Sequence, residues 1–135
     1  MKVVIIGGVA GGASAAARLR RLDEQAEIII FERSGFISYA NCGLPYYIGG
    51  TIEDESDLTL QTPQSFWRRF RIDARVRHEV TAIDRENRTV TVRNLETGAV
   101  FAESYDKLVL SPGAVPVRPK RPGTESARIG ARCTA

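Results

Sequence analysis

A chain of 135 residues, 43% of them hydrophobic, is long enough for one domain with its own core and is neither disordered nor fibrous in composition. Nineteen basic and sixteen acidic residues leave a net charge of +3; with no basic run interleaved with aromatics and no nucleic-acid motif, nucleic acid is not expected as a partner. No apolar run approaches the ~20 residues of a membrane span and no secretory segment precedes the first apolar run, so a cytoplasmic protein without membrane contact is expected.

Val3 to Ile6 is apolar without alternation, which predicts a strand buried on both faces of a parallel sheet, and Gly7 breaks it at once. The turn from Gly7 to Gly12 reads GGVAGG and feeds a segment of helical spacing, Ala13 to Leu22. A helix start of this kind presents unpaired backbone N–H groups and the positive end of the dipole, and glycine lets a pyrophosphate approach closely. Gly7, Gly8, Val9, Ala10, Gly11 and Gly12 are therefore the candidate phosphate cradle. A dinucleotide fold also needs an acid on the adenosine ribose about 20 residues further on. Glu32 stands there, at the end of a second apolar run from Ile28 to Phe31. The plain alternative is an ordinary βαβ unit with a glycine-rich turn and a solvated Glu32. In the G-x-G-x-x-G spacing anchored on Gly7 and Gly12, Val9 takes the middle glycine's position.

Along the predicted helix Ser14, Arg18 and Arg21 share one face, while Ala15, Leu19 and Leu22 form an apolar stripe expected to pack on the sheet. Taken alone, the Ser/Arg face is as well explained by solvation. Beyond the second strand comes SYANCGLPYYIGG, Ser38 to Gly50. Gly43, Leu44 and Pro45 can open a helix, which would set Cys42 at its start, where the dipole favours a thiolate. A buried structural cysteine is the competing reading. The only other cysteine, Cys133, lies in a polar tail, and no C-x-x-C or metal-ligand spacing is present, so no metal site is expected.

Gly49 to Gln61 reads as a polar, acidic surface loop, and Thr62-Pro63 as an N-cap with proline in the first turn of a helix over Gln64 to Phe70. Phe66, Trp67 and Phe70 are expected in the core; Arg68, Arg69 and Arg71 either extend a basic edge or are solvated. His78 is read as structural. From Glu79 to Ser104 alternation replaces continuous runs, with turns at Glu86-Asn87 and Thr97-Gly98, which predicts a three-stranded antiparallel meander. Lys107 to Leu110 returns to a buried strand, followed by the turn Ser111-Pro112-Gly113. Arg118 to Ala135 has no periodicity and reads as a linker or tail, giving a domain over 1–117 and a tail over 118–135. The fold class is thus α/β: a Rossmann-like parallel sheet with an antiparallel meander.

GGVAGGASAA, Glu32 and SYANCGLPY together resemble the N-terminal part of the flavin-dependent pyridine nucleotide-disulfide oxidoreductases, in particular the CoA-disulfide and persulfide reductases among them. The similarity continues in LTLQTPQSFW (Leu58 to Trp67), HEVTAID (His78 to Asp84) and SYDKLVLSPGA (Ser104 to Ala114). Valine at the middle fingerprint position is usual in that subfamily. The resemblance implies that the dinucleotide is FAD, held by Gly7 to Gly12, Glu32, Arg33, Asn41, Val80, Ser111 and Gly113, with Cys42 beside the flavin ring. It also implies that Cys42 forms a mixed disulfide with CoA, that electrons come from NAD(P)H, and that Ser14, Arg18, Arg21, Ser38 and Asn41 contact the substrate. Dithiol relatives such as glutathione reductase pair two cysteines five positions apart, whereas position 47 here is Tyr47.

Two other readings stay open at this point: a flavoenzyme of the NADH oxidase or peroxidase type, in which Cys42 cycles through a sulfenic acid, and a flavin-binding module without turnover. The resemblance further implies a homodimer for the complete enzyme. A second glycine fingerprint for NAD(P)H is missing, and the ending GTESARIGARCTA departs from the family pattern. A fragment or altered reading frame, inactive by itself, is the expectation.

Overall fold

The computed structural model describes residues 1–115. The domain limit expected at residue 117, the tail from Arg118 and Cys133 lie outside the described residues.

The chain runs β1 (Lys2–Ile6), α1 (Ala10–Leu22), β2 (Glu27–Glu32), β3 (Ile37–Tyr39), a 3-10 turn (Asn41–Gly43), α2 (Leu44–Ile48) and a second 3-10 turn (Glu55–Leu58). It continues through β4 (Thr59–Gln61), α3 (Pro63–Phe70), β5 (Asp73–Val76), β6 (His78–Asp84), β7 (Thr89–Asn94), β8 (Val100–Ser104) and β9 (Lys107–Leu110). β1 pairs in parallel with β2 on one side and β9 on the other, and β5 joins β2, giving the order β5-β2-β1-β9.

The unbroken apolar runs of β1 and β2 are explained by covering on both faces. Val3, Ile5, Ile28 and Ile30 point to the helical side, where Ala13 and Ala16 of α1 and Phe66 of α3 meet them. Val4, Ile29 and Phe31 point the other way, onto Val90 and Val92 of the β6-β7-β8 sheet. Each fully buried side chain of this size contributes about 1.5–3 kcal/mol, so these two clusters hold the three layers together. The expected α/β class, parallel sheet and three-stranded meander are all present.

Five local expectations need correcting. β9 is an edge strand and not a buried one: Lys107 and Leu110 are exposed, with Leu108 and Val109 half-buried. The buried stripe of α1 is Gly12, Ala13 and Ala16, with Leu19 half-buried; Leu22 is 66% exposed and Ala15 only half-covered. Beyond Leu19 the packed side is taken over by Arg20, whose guanidinium donates to the carbonyls of Phe70 and Arg71 at the end of α3. Trp67 is also largely exposed, its ring covered by Arg71 instead of core. Gly49 to Gln61 is not all loop: it contains a 3-10 turn and β4, anchored by fully buried Leu58. β5 was not anticipated, because four residues reading DARV carry no recognisable period.

Thr62 caps α3 as expected, with Pro63 in the first turn and Ser65 closing a reciprocal capping box. Among the described residues no helix is long and apolar enough to cross a membrane.

Candidate functional site

The carboxyl ends of β1, β2 and β9 lie side by side, and the residues that follow them build the site. Gly7, after β1, has φ +93° and donates its N–H to Phe31 O at 2.8 Å; Ser111, after β9, donates to Ile6 O at 2.8 Å. A side chain at Gly7 would collide with the Ser111 carbonyl, and one at Gly12 with the Gly7 carbonyl. Two glycines thus let strand, turn and helix meet at backbone contact. Gly11 faces Ser111, whose Oγ lies 3.2 Å from where a Cβ would stand. No side chain caps α1 and no acid occupies its first turn, so its leading N–H groups are left for another acceptor.

Glu32 is only 7% exposed. Its two oxygens accept backbone N–H groups from Gly8 at 2.7 Å and Ser34 at 2.8 Å. A carboxylate has about four acceptor positions, so capacity remains for hydroxyl donors in the cleft that Glu32 lines. The plain reading, a solvated glutamate, is excluded by this burial.

That cleft has two joined parts. One, of about 130 Å³, is bounded by Gly7, Glu32, Arg33, His78 and Val80. The other, of about 240 Å³, shares Glu32, Arg33 and Pro112 with it and reaches Val9, Asn41, Ser111 and Gly113. A third cavity, of about 450 Å³, is lined by Ser14, Ser38, Asn41 and Cys42 together with Tyr39 and Leu60. Tyr39 and Asn41 line both the second and third cavities, forming a common wall.

Cys42 sits in the 3-10 turn ahead of α2 and is exposed, not a buried structural thiol. The turn is held by packing: Gly43 is buried, and a side chain there would run into Leu58. Pro45 occupies the first turn of α2, as the sequence suggests.

The structure therefore gathers Gly7, Val9, Glu32, Arg33, Asn41, Val80, Ser111 and Gly113 along one cleft, and Ala10, Ser14, Ser38, Asn41 and Cys42 around the thiol. Gly8 lies behind Glu32 and Gly12 beneath Gly7. Arg18 and Arg21 do not line the thiol cavity; both are exposed on α1 beyond Ser14, with no ion pair among the described residues. Tyr39, Leu60 and the cleft position of His78 were not singled out as site features from the sequence. Leu60 carries no signal there because its strand is three residues long; Tyr39 has one, its place three residues before Cys42. No group of three or more metal-ligating side chains occurs among the described residues.

A glycine turn between parallel strand and helix, with a buried acid closing the next strand at the same sheet edge, defines a Rossmann-type dinucleotide-binding protein. Residues 1–134 match the family model described as pyridine nucleotide-disulphide oxidoreductase, and the chain belongs to that family. It is 51% identical over 113 residues to the coenzyme A disulfide reductase of Staphylococcus aureus strain JH9, covering 84% of this chain and 26% of that protein. Among solved structures it is similar to reduced CoADR-RHD of Bacillus anthracis, with 54% identity and a TM-score of 0.87 over 92% of this chain and 22% of that one. An NAD-dependent persulfide reductase from A. fulgidus aligns with 37% identity and a TM-score of 0.85 over 89% of this chain and 22% of its own. The chain spans about a quarter of the length of the curated relatives it matches.

Proposed function

We propose that this chain supplies the FAD-binding, thiol-bearing part of a disulfide oxidoreductase that reduces coenzyme A disulfide, or a coenzyme A persulfide, with electrons from NADH or NADPH. The observation that carries this reading is the common wall of Tyr39 and Asn41, which sets the exposed Cys42 pocket directly against the dinucleotide cleft. The names of the relatives at 51% and 37% identity support the choice of substrate.

The residues fit the cofactor. Gly7 and Gly12 let the turn, the Ser111 backbone and the start of α1 meet at backbone contact, the uncapped start of α1 suits a pyrophosphate, and Glu32 keeps acceptor capacity for ribose hydroxyls. Arg33 and Val80 would hold the adenine end, Ser111, Gly113 and Asn41 the middle. Bound FAD would supply the two-electron relay between pyridine nucleotide and sulfur.

The chemistry of this chain's own residues centres on one thiol. Cys42 Sγ, as thiolate, attacks one sulfur of the disulfide; one CoA thiolate leaves and the other half stays on Cys42 as a mixed disulfide. Two electrons and a proton then free the second CoA thiol and return Cys42 to the thiolate. With Tyr47 at the position where dithiol enzymes carry a second cysteine, the exchange partner is external. Ser14, Ser38 and Asn41 orient the substrate at the thiol, and Arg18 and Arg21 meet its phosphates from α1. The complete enzyme we propose is a cytoplasmic homodimer with a small-molecule substrate, and neither nucleic acid nor membrane is a partner.

The test is the visible spectrum of a complete enzyme built on this sequence. A flavin band is expected, with a long-wavelength thiolate-to-flavin band on reduction that disappears in Cys42→Ser. Lack of a flavin band after FAD addition overturns the reading.

A further inference from the structure

Tyr39 carries the one buried side-chain polar atom without a hydrogen-bond partner among the described residues, its phenolic Oη. The residue is 8% exposed. A buried hydroxyl without a partner is costly, and native proteins keep such groups where a ligand or water completes them. Tyr39 lines the wall between the dinucleotide cleft and the Cys42 cavity. Its ring packs against Phe36 at 5.4 Å between centroids, and Phe36 lines the dinucleotide cleft but not the thiol cavity. The ring thus packs on a residue that belongs to the cofactor side of the wall. Burial, with smaller contributions from Glu55 and Tyr47, pushes the phenol up, so it keeps its proton and remains a donor.

We propose that Tyr39 Oη donates a hydrogen bond to an oxygen in the phosphate and polyol middle of the bound flavin dinucleotide, between Glu32 and the wall that the cleft shares with the Cys42 cavity. This assignment rests on the flavin reading above and adds a residue to it. It makes Tyr39 a cofactor-affinity determinant whose hydroxyl is a liability when the cleft is empty and an asset when it is filled.

The opposite signs give the test. Tyr39→Phe removes only the hydroxyl, and is compared with the parent in a complete enzyme built on this sequence, stripped of FAD and then titrated with it. The apoprotein of the variant should melt at the same temperature as the parent or higher, because nothing bonded is lost. Its FAD dissociation constant, read from quenching of flavin fluorescence, should rise about three- to tenfold, the range for one neutral hydrogen bond. A variant apoprotein that melts lower while binding FAD equally well means that a buried water completes the hydroxyl, and overturns the assignment. Unchanged FAD affinity with a raised KM for CoA disulfide moves the hydroxyl to the thiol side, and equally overturns it. Failure of the parent itself to bind FAD overturns the flavin reading along with this assignment, whereas equal affinities overturn this assignment alone.

Discussion

Cys42 is the residue on which the proposed reaction turns, and its setting makes the expectation specific. The thiol is exposed, in a turn fixed by Gly43 against Leu58, and no other described residue is a cysteine. Cys42→Ser should keep FAD and stability yet abolish disulfide reduction; undiminished turnover with CoA disulfide would remove the cysteine from the mechanism. Arg21 calls for a smaller figure. Its guanidinium is exposed, so its pairing with a phosphate is screened by water and salt, and about 0.2–1 kcal/mol is the range for such pairs. Arg21→Ala should raise the KM for CoA disulfide up to about fivefold at low salt, with the difference shrinking as ionic strength rises and small uncharged disulfides unaffected. Equal losses with both substrates would mean that Arg21 acts on the fold. At this scale the sequence was readable wherever a motif fixes a residue type: Glu32 and Cys42 stand where their motifs put them. Tyr39 was readable only by its place three residues before Cys42; that its hydroxyl is an orphan is a property of packing and not of spacing.

Elements were legible in proportion to their period. β1, β2 and β9 were evident from unbroken apolar runs and the meander from alternation, whereas β4 and β5, of three and four residues, are too short to display one. The packed face of α1 is hard to read from the sequence because eight consecutive small residues, Ala10 to Ala17, none larger than Ser14, give little contrast between sides. Contact with the sheet is decided there by closeness instead of hydrophobicity. Gly12 fits only because it has no Cβ, since the obstacle is the Gly7 backbone carbonyl, which cannot rotate away as a side chain would. Gly12→Ala should therefore push α1 from the turn, at a cost of about 1–3 kcal/mol for overpacking, and weaken FAD binding in step. Thermal denaturation and FAD titration read both quantities. A variant with parental melting temperature and affinity would show that the turn yields freely and is not a rigid cradle.

At the scale of the molecule, the parallel sheet and the meander act as one support for the cleft. Lys2 of β1 pairs with Glu103 of β8 at 2.6 Å, and Glu103 also meets Arg75 of β5 at 3.3 Å, so an ionic bridge ties the meander to two strands of the parallel sheet, one of them the strand that leads into Gly7. This support serves one nucleotide. Among the described residues a single glycine turn stands between parallel strand and helix, and its cleft is assigned to FAD. A pyridine nucleotide must bring its own reactive carbon to the flavin and needs a separate seat to do so. The curated relatives are about four times as long as the segment matched. The 135-residue chain, purified by itself, should therefore bind FAD weakly and show no steady oxidation of NADH or NADPH when FAD and CoA disulfide are added. The assay follows nicotinamide absorbance with and without Cys42→Ser. Sustained oxidation that depends on Cys42 would mean that one cleft admits both nucleotides in turn, and the proposed division of labour between this part and the rest of a complete enzyme would fall.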